Sequence, residues 1–261
     1  LLEYRELTKL LGTYVRTLAR HPTDRLHVSF NQSGTYQSEA LGAPRTGRLS
    51  SSKPMNLMNI PQKTEIGRRV KALFVPSPGY LFWRVDYDQL ELRILAARAN
   101  EQTMLRAFTT GQDLHALTAG AIFNVAAPTK EQRYVGKQAN FATVYGASVP
   151  RLMEVTGLDR EGAAKVQLVL KELYPGLRQY STEMRAELLR TSVARTMMGR
   201  ERHEDGVFTT TRQMREAALR ELFNMLIQGT AADLVKYAMV HFSQVYPCIP
   251  IVNQVHDELL F

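Results

Sequence analysis

The chain has 261 residues, 44% of them hydrophobic, with a single cysteine and a net charge of +8. That is enough apolar material for a sizeable core or two subdomains, and one cysteine, Cys248, excludes an intrachain disulfide and fits a reducing compartment. No apolar run reaches membrane-spanning length and no signal peptide is visible, while the positive balance fits a polyanionic partner such as nucleic acid or simply an ordinary basic soluble protein.

Leu1–Leu18 places Leu7, Leu10, Leu11, Val15 and Leu18 at helical spacing, which predicts an amphipathic helix. A short strand is expected within His27–Asn31, followed by a surface loop over Ser33–Pro44, where Gly34, Gly42 and Pro44 break periodicity. Thr46–Ile60 is polar and loop-like, with Arg48 readable as a solvated arginine. Glu65–Leu73 predicts a short basic helix. The run Tyr80–Val85 is aromatic and β-branched, as in a buried strand, and ends on Asp86. Beyond it Leu90, Leu92, Ile94 and Leu95 read as a helix, for which Asp88 and Glu91 carry the D-x-x-E spacing of a capping box.

Residues 100–125 predict two short helices, the second opening near Asp113 with His115 in its first turn, where free amides favour anions. Thr129–Tyr145 is the most informative helix. Arg133, Lys137, Phe141 and Tyr145 step by four and form one slowly winding stripe. Two cations followed by two rings suit a nucleotide, with phosphates on the cations and sugar and base on the rings; a basic amphipathic helix with a half-buried aromatic end is the plain alternative. Gly136, Ala139 and Ala142 are small enough for a close helix neighbour. Asp159–Leu173 and Gly176–Arg190 read as helices parted by Pro175. Thr209–Tyr246 predicts two long helical stretches broken near Gly229, with a polar stripe of Arg220, Asn224 and Gln228 readable as buried hydrogen-bonding residues. Ile249–Val255, the turn His256-Asp257-Glu258 and Leu259–Phe261 read as strand, acidic turn and strand. Asp86 and Asp257, each at the end of an apolar strand, are placed to converge on divalent metal, since paired carboxylates repel unless a cation separates them.

Three ordered motifs, DYDQLELR at 86–93, RYVGKQANFATVYG at 133–146 and QVHDELLF at 254–261, make the chain resemble the polymerase domain of family A DNA polymerases. TGRLSSS at 46–52, QDLHALTA at 112–119 and QGTAAD at 228–233 support it, and MGRERHEDG at 198–206 resembles the family's basic turn in diluted form, so the resemblance covers nearly the whole chain. It implies an α+β right-hand architecture: an antiparallel palm sheet with mainly helical fingers, divided as palm 1–108, fingers 109–202 and palm 203–261. The preceding thumb and exonuclease regions and the closing palm elements are expected to lie outside this fragment. The function implied is template-directed DNA synthesis from dNTPs on a primer–template by two Mg²⁺ ions, with Mn²⁺ as a substitute, in the cytoplasm or nucleoid if the source is bacterial.

By the same resemblance Asp86, Asp257 and the Tyr87 carbonyl hold metal, and Glu258 tunes it or shapes the turn. Arg133, Lys137 and His115 meet phosphates, with Lys137 a further proton source for pyrophosphate. Phe141 and Tyr145 meet sugar and base, and Glu91 is a steric gate against the ribose 2′-OH. Arg48, His256, Arg220, Asn224 and Gln228 touch DNA, the last three in the minor groove, where contacts test pairing geometry without reading sequence. The chain departs from the family at Tyr36–Arg45 and Met55, which read as inserted, and at Asp88, Ala142 and Leu226, where Ser, Gly and Pro are usual. The competing readings are a single-subunit RNA polymerase, against which Glu91 and the HDE turn stand, a two-metal nuclease, which leaves the Arg133–Tyr145 stripe unexplained, and a non-catalytic DNA-binding fragment.

Overall fold

The computed structural model describes residues 2–32, 45–61, 64–144 and 148–261, so Tyr145 and most of the Tyr36–Arg45 insertion lie outside the described residues. The chain forms two compact units, the first built from Leu1–Tyr87 and Ala232–Phe261, the second from Asp88–Ala231.

The first unit opens with α1 (Leu2–Leu10), a π-helical turn (Leu11–Val15) and α2 (Arg16–Ala19). The expected apolar face is corrected here. Leu10 and Tyr14 are buried with Leu18 packed behind them, whereas Leu7, Leu11 and Val15 face outward. The buried stripe therefore steps by four, and the π turn, with its wider pitch, favours that step. Met55 and Val70 complete this small core, and the Tyr14 hydroxyl donates to the Asn59 carbonyl at 2.7 Å. β1 (Phe30–Asn31) pairs antiparallel with β2 (Ser50–Ser51), so the segment expected to be loop-like carries a strand. Asn56 then caps a 3₁₀ turn at Leu57–Asn59, and α3 (Glu65–Lys71) is capped by Thr64.

The sheet that matters follows. β3 (Arg84–Asp86) lies on one edge, and near the end of the chain β6 (Asn253–Val255) and β7 (Glu258–Leu260) complete the order β3-β7-β6, all antiparallel. Trp83 and Phe261 exchange two backbone hydrogen bonds that lengthen the β3–β7 pairing. The sequence predicts a buried strand over Tyr80–Val85. Instead only its last residues pair, and Tyr80, Leu81, Trp83 and Val85 are more than half exposed. An edge strand has one neighbour, and among the described residues its apolar side chains are not covered.

The second unit is helical: α4 (Leu90–Arg98), α5 (Gln102–Thr110), α6 (Leu114–Phe123), α7 (Lys130–Val144), α8 (Val149–Thr156), α9 (Arg160–Leu173) and α10 (Pro175–Thr191) follow one another. Its core joins Leu92, Leu114, Ile122, Ala139, Leu152 and Val166. Asp113 and Asp159 cap α6 and α9 through their side chains, and Glu101 caps α5, as short acidic residues before apolar helices do. α4 departs from the capping-box expectation. Its N-cap is Gln89, in the left-handed region at φ 53° and without a side-chain capping bond, while the Asp88 carboxylate accepts from the Gln89 side-chain amide and from Arg93.

A hairpin of β4 (Val193–Arg195) and β5 (Glu201–His203) occupies the stretch read as a basic turn, with Gly199 at φ 86° supplying the reversal. α11 (Arg212–Asn224) runs through a π-helical turn at Met225–Gly229 into α12 (Thr230–Val245). The expected break near Gly229 is therefore a π insertion in a continuous helix. Arg200 donates to the Gly229 carbonyl at 3.0 Å, and a Cβ at 229 would meet the Met225 sulfur at 2.7 Å. Glycine at 229 thus leaves room for the Met225 side chain, and Arg200 ties the β4–β5 hairpin to the π turn.

Candidate active site

The candidate residues form two groups, one in each unit. In the first unit the β6–β7 turn is held by its own backbone: His256 takes φ 56°, and its carbonyl accepts the Gln254 side-chain amide. The turn then docks on β3, where the Tyr87 amide donates to the Asp257 carbonyl at 3.2 Å. Strand register puts Glu258 directly opposite Asp86. Like charges facing each other across antiparallel strands are destabilising, and here cations surround them. The Arg48 guanidinium lies 3.8 Å from Asp257, and Arg84 lies 3.5 Å from Glu258. So Arg48, Asp86, Tyr87, His256, Asp257 and Glu258 are gathered at one end of the sheet, with Asp86 and His256 exposed to solvent.

Among the described residues no three His, Cys, Asp or Glu side chains form a cage for a metal. The donor set instead consists of carboxylate oxygens at a strand end and the adjoining turn, with Asp86 exposed and Asp257 and Glu258 half-buried. Mg²⁺ suits such a set, because it binds through one or two carboxylates and completes its shell with water and substrate phosphates. The facing acids and the two arginines drawn to them mark a place with excess negative charge, so the residues present fit that ion.

In the second unit the work is done by α6 and α7. Gly136 lets the two helices approach closely: a Cβ there would lie 2.4 Å from the His115 carbonyl and 3.0 Å from the Ala119 side chain. Gly136, Ala139 and Ala142 are all buried, as their size predicts. The approach brings the start of α6 beside the exposed face of α7. Asp113 accepts the amides of His115 and Ala116 and also the Arg133 Nε, at 2.6 Å. Burial pushes its carboxyl up, but the Arg133 hydrogen bond and the two amides outweigh that, and it ends below the ordinary aspartate value. Arg133 is thus fixed through Nε, which leaves its terminal nitrogens for an anion.

His115 is buried, and burial holds it below the ordinary histidine value; Asp113 and Asp88 oppose that shift, while Arg133 and Lys137 reinforce it. Its ring lies 6.0 Å from that of Phe141, and the Lys137 Nζ stands 5.9 Å from the Phe141 ring. His115, Arg133, Lys137 and Phe141 are therefore brought together, with the two cations exposed and Phe141 half-buried. Glu91 is buried on the first turn of α4. Arg220 is exposed, and Asn224 and Gln228 are half-buried, on the helix that passes through the π turn. Sequence reasoning did not single out Asp113 as the partner of Arg133, nor Asn140, which touches His115. The helix-capping position of Asp113 was visible; its reach to α7 was not.

The DNA polymerase family A model matches residues 1–261. A thermostable DNA polymerase I of Thermus filiformis is 40% identical over 268 residues, covering all of this chain and 31% of the relative. A DNA polymerase I of Deinococcus radiodurans is 39% identical over 267 residues, covering 99% of this chain and 27% of the relative. Among solved structures, the POL domain of Pol1 from M. smegmatis, in complex with DNA primer-template and dNTP, superposes with a TM-score of 0.88 at 35% identity, over 100% of this chain and 46% of the other. The chain thus spans less than half the length of each of these relatives.

Proposed function

The chain belongs to DNA polymerase family A, and on that premise we propose that it carries the nucleotidyl-transfer site of a template-directed DNA polymerase, joining dNTPs to a primer 3′-OH. The observation that carries this reading is the cationic, aromatic face of α7, where Arg133, Lys137 and Phe141 come together with His115; the facing acids at the sheet end of the other unit are a separate support. The α+β fold itself matches that of a polymerase domain bound to primer-template and dNTP. On this reading the chain divides into palm at 1–108 and 203–261 and fingers at 109–202; Asp86 and Asp257 share one compact unit, which takes in only Leu1–Tyr87 and Ala232–Phe261 of that palm.

Asp86 and Asp257, with the Tyr87 carbonyl, would hold two Mg²⁺ ions, for which Mn²⁺ is a substitute. Bound there, the metal would make the primer hydroxyl more acidic and neutralise the phosphate charge. Glu258, facing Asp86, adds negative charge that tunes the site. Arg133, pinned by Asp113, and Lys137 stabilise the charge that spreads over the triphosphate during in-line displacement, and the Lys137 ammonium can give its proton to the departing pyrophosphate. Phe141 and Tyr145 pack the sugar and base, and Glu91 crowds a ribose 2′-OH. Arg48 and His256 orient the primer end, and Arg220, Asn224 and Gln228 test the minor groove of the new duplex.

Incorporation of one dNTP on a primed template tests the proposal, run on this chain and on the same segment set into a complete family A polymerase. Template-matched extension that Asp86→Asn and Asp257→Asn each abolish, with DNA binding retained, supports it. A second reading, a DNA-binding fragment with little catalysis of its own, is favoured by the share of each relative that the chain spans. It predicts extension by the complete polymerase only.

A further inference from the structure

His115 is attached to a chain of buried polar groups that the proposed reaction does not use. The Tyr174 hydroxyl lies 2.6 Å from the Thr118 hydroxyl, which in turn lies 2.9 Å from the Asn140 Oδ1 and 2.8 Å from the Leu114 carbonyl. The Asn140 Nδ2 lies 3.1 Å from the His115 Nδ1 and 3.4 Å from the same Leu114 carbonyl. Thr118, Asn140 and Tyr174 are each no more than 1% exposed and His115 only 4%, so these groups have little access to water. Buried polar groups of this kind must satisfy one another.

The hydrogen-bond chemistry gives the chain a direction. The Tyr174 and Thr118 hydroxyls share a hydrogen bond that either can donate, so the direction is set at Asn140. The Asn140 atom facing His115 also faces the Leu114 carbonyl oxygen. An amide oxygen there would set two acceptors against each other, whereas an amide NH₂ donates to both. Asn140 places Nδ2 toward His115 and Oδ1 toward the Thr118 hydroxyl, and the ring nitrogen that meets an NH₂ is the bare, accepting one. A neutral imidazole with a bare Nδ1 carries its proton on Nε2.

We propose that Asn140 is a positioning residue that locks His115 as a neutral imidazole with Nε2–H as its one donor, so that His115 serves an incoming phosphate as a hydrogen-bond donor and not as a cation. Asp113, Arg133, Lys137 and Asp88 are the charged groups that act on the ring. Arg133 and Lys137 already supply positive charge, and a third cation beside them would be held at the cost of repulsion. The division of labour follows: two cations set the attraction, and the fixed imidazole sets direction. The phosphate arm rests on the reading of His115 as a triphosphate contact; the tautomer does not.

The primary test is long-range ¹⁵N–¹H correlation on the His115 ring in the unmodified chain near neutral pH. The expected pattern is a protonated Nε2 and a bare Nδ1. A protonated Nδ1, alone or in the imidazolium, overturns the proposal whatever the activity. With Asn140→Asp the carboxylate accepts from Nδ1–H, and the ring midpoint should rise above its value in the unmodified chain; an unchanged or lower midpoint counts against it. In single-nucleotide incorporation, Asn140→Ala should raise the dNTP KM about three- to tenfold, the worth of one neutral hydrogen bond, with kcat little changed. In a His115→Ala background the same substitution should add nothing, and independent losses in the double variant would mean that Asn140 acts by packing alone. If His115→Ala leaves dNTP KM unchanged while the tautomer is as expected, the phosphate reading of His115 fails and the positioning by Asn140 stands.

Discussion

Gly136→Ala is the substitution that most directly probes how the phosphate-binding groups are held. The added methyl would lie 2.4 Å from the His115 carbonyl oxygen, 2.9 Å from the Ala119 amide and 3.0 Å from its Cβ. Ordinary contact begins near 3.4 Å, so the helices must part by about 1 Å, and the obstacle is backbone that cannot rotate away. Overpacking of this kind costs about 1–3 kcal/mol. For a chain of this size that corresponds to a fall in Tm of roughly 2–12 °C, at about 2–4 °C per kcal/mol. The functional loss should be larger than the stability loss suggests. α6 carries Asp113 and His115, α7 carries Arg133 and Lys137, and a shift near 1 Å at a reacting group costs up to about 10²-fold. Differential scanning calorimetry and dNTP titration of single-nucleotide incorporation check both. An unchanged Tm and dNTP KM would refute the claim that Gly136 sets the α6–α7 distance.

Asp113→Asn keeps the helix cap but removes the charge that pins Arg133; dNTP KM should rise about tenfold, as for loss of a charge-assisted hydrogen bond, while helix content by circular dichroism is retained. Glu91→Ala should narrow the preference for dNTP over rNTP, read as the ratio of kcat/KM, and an unchanged ratio would leave Glu91 a buried helix residue only. His115 lies below its ordinary value of 6.5 in the folded chain, so the unfolded chain takes up the proton first. Its contribution to stability is complete above that ordinary value and is lost as pH falls from there through the lower folded-state value. Denaturant melts across this window should show a decline that is reduced in His115→Gln.

The placement of the candidate residues was legible because step-of-four spacing on a helix and acids at strand ends leave local traces. Asp113 before α6, the small residues on α7 and the Asp257 turn all follow from neighbours close in the chain. What the sequence concealed depends on contacts between distant segments. The Tyr80–Val85 run has the composition of a buried strand, yet only pairing with β7 decides how much of it is strand, and that pairing is short. The Asp88–Glu91 spacing matches a capping box, but Arg93 competes for Asp88, and Gln89 takes the cap in a left-handed conformation. At the π turn, Met225–Gly229, Gly229 fits against Met225 and Arg200, which no periodicity reveals. Asn140 is one more polar residue in a helix until Thr118 and Tyr174 are seen beside it.

The proposed function requires both Asp257 and Lys137 for template-directed transfer. Rapid-quench measurement of a single turnover tests it, comparing the template-matched dNTP with a mismatched one in Mg²⁺ on a primed template. The protein is this segment within a complete family A polymerase, beside its Asp257→Asn and Lys137→Ala variants. The account predicts extension of the matched nucleotide only, abolished without Asp257 and slowed about 10²-fold or more without Lys137. Matched extension that survives both substitutions would contradict it.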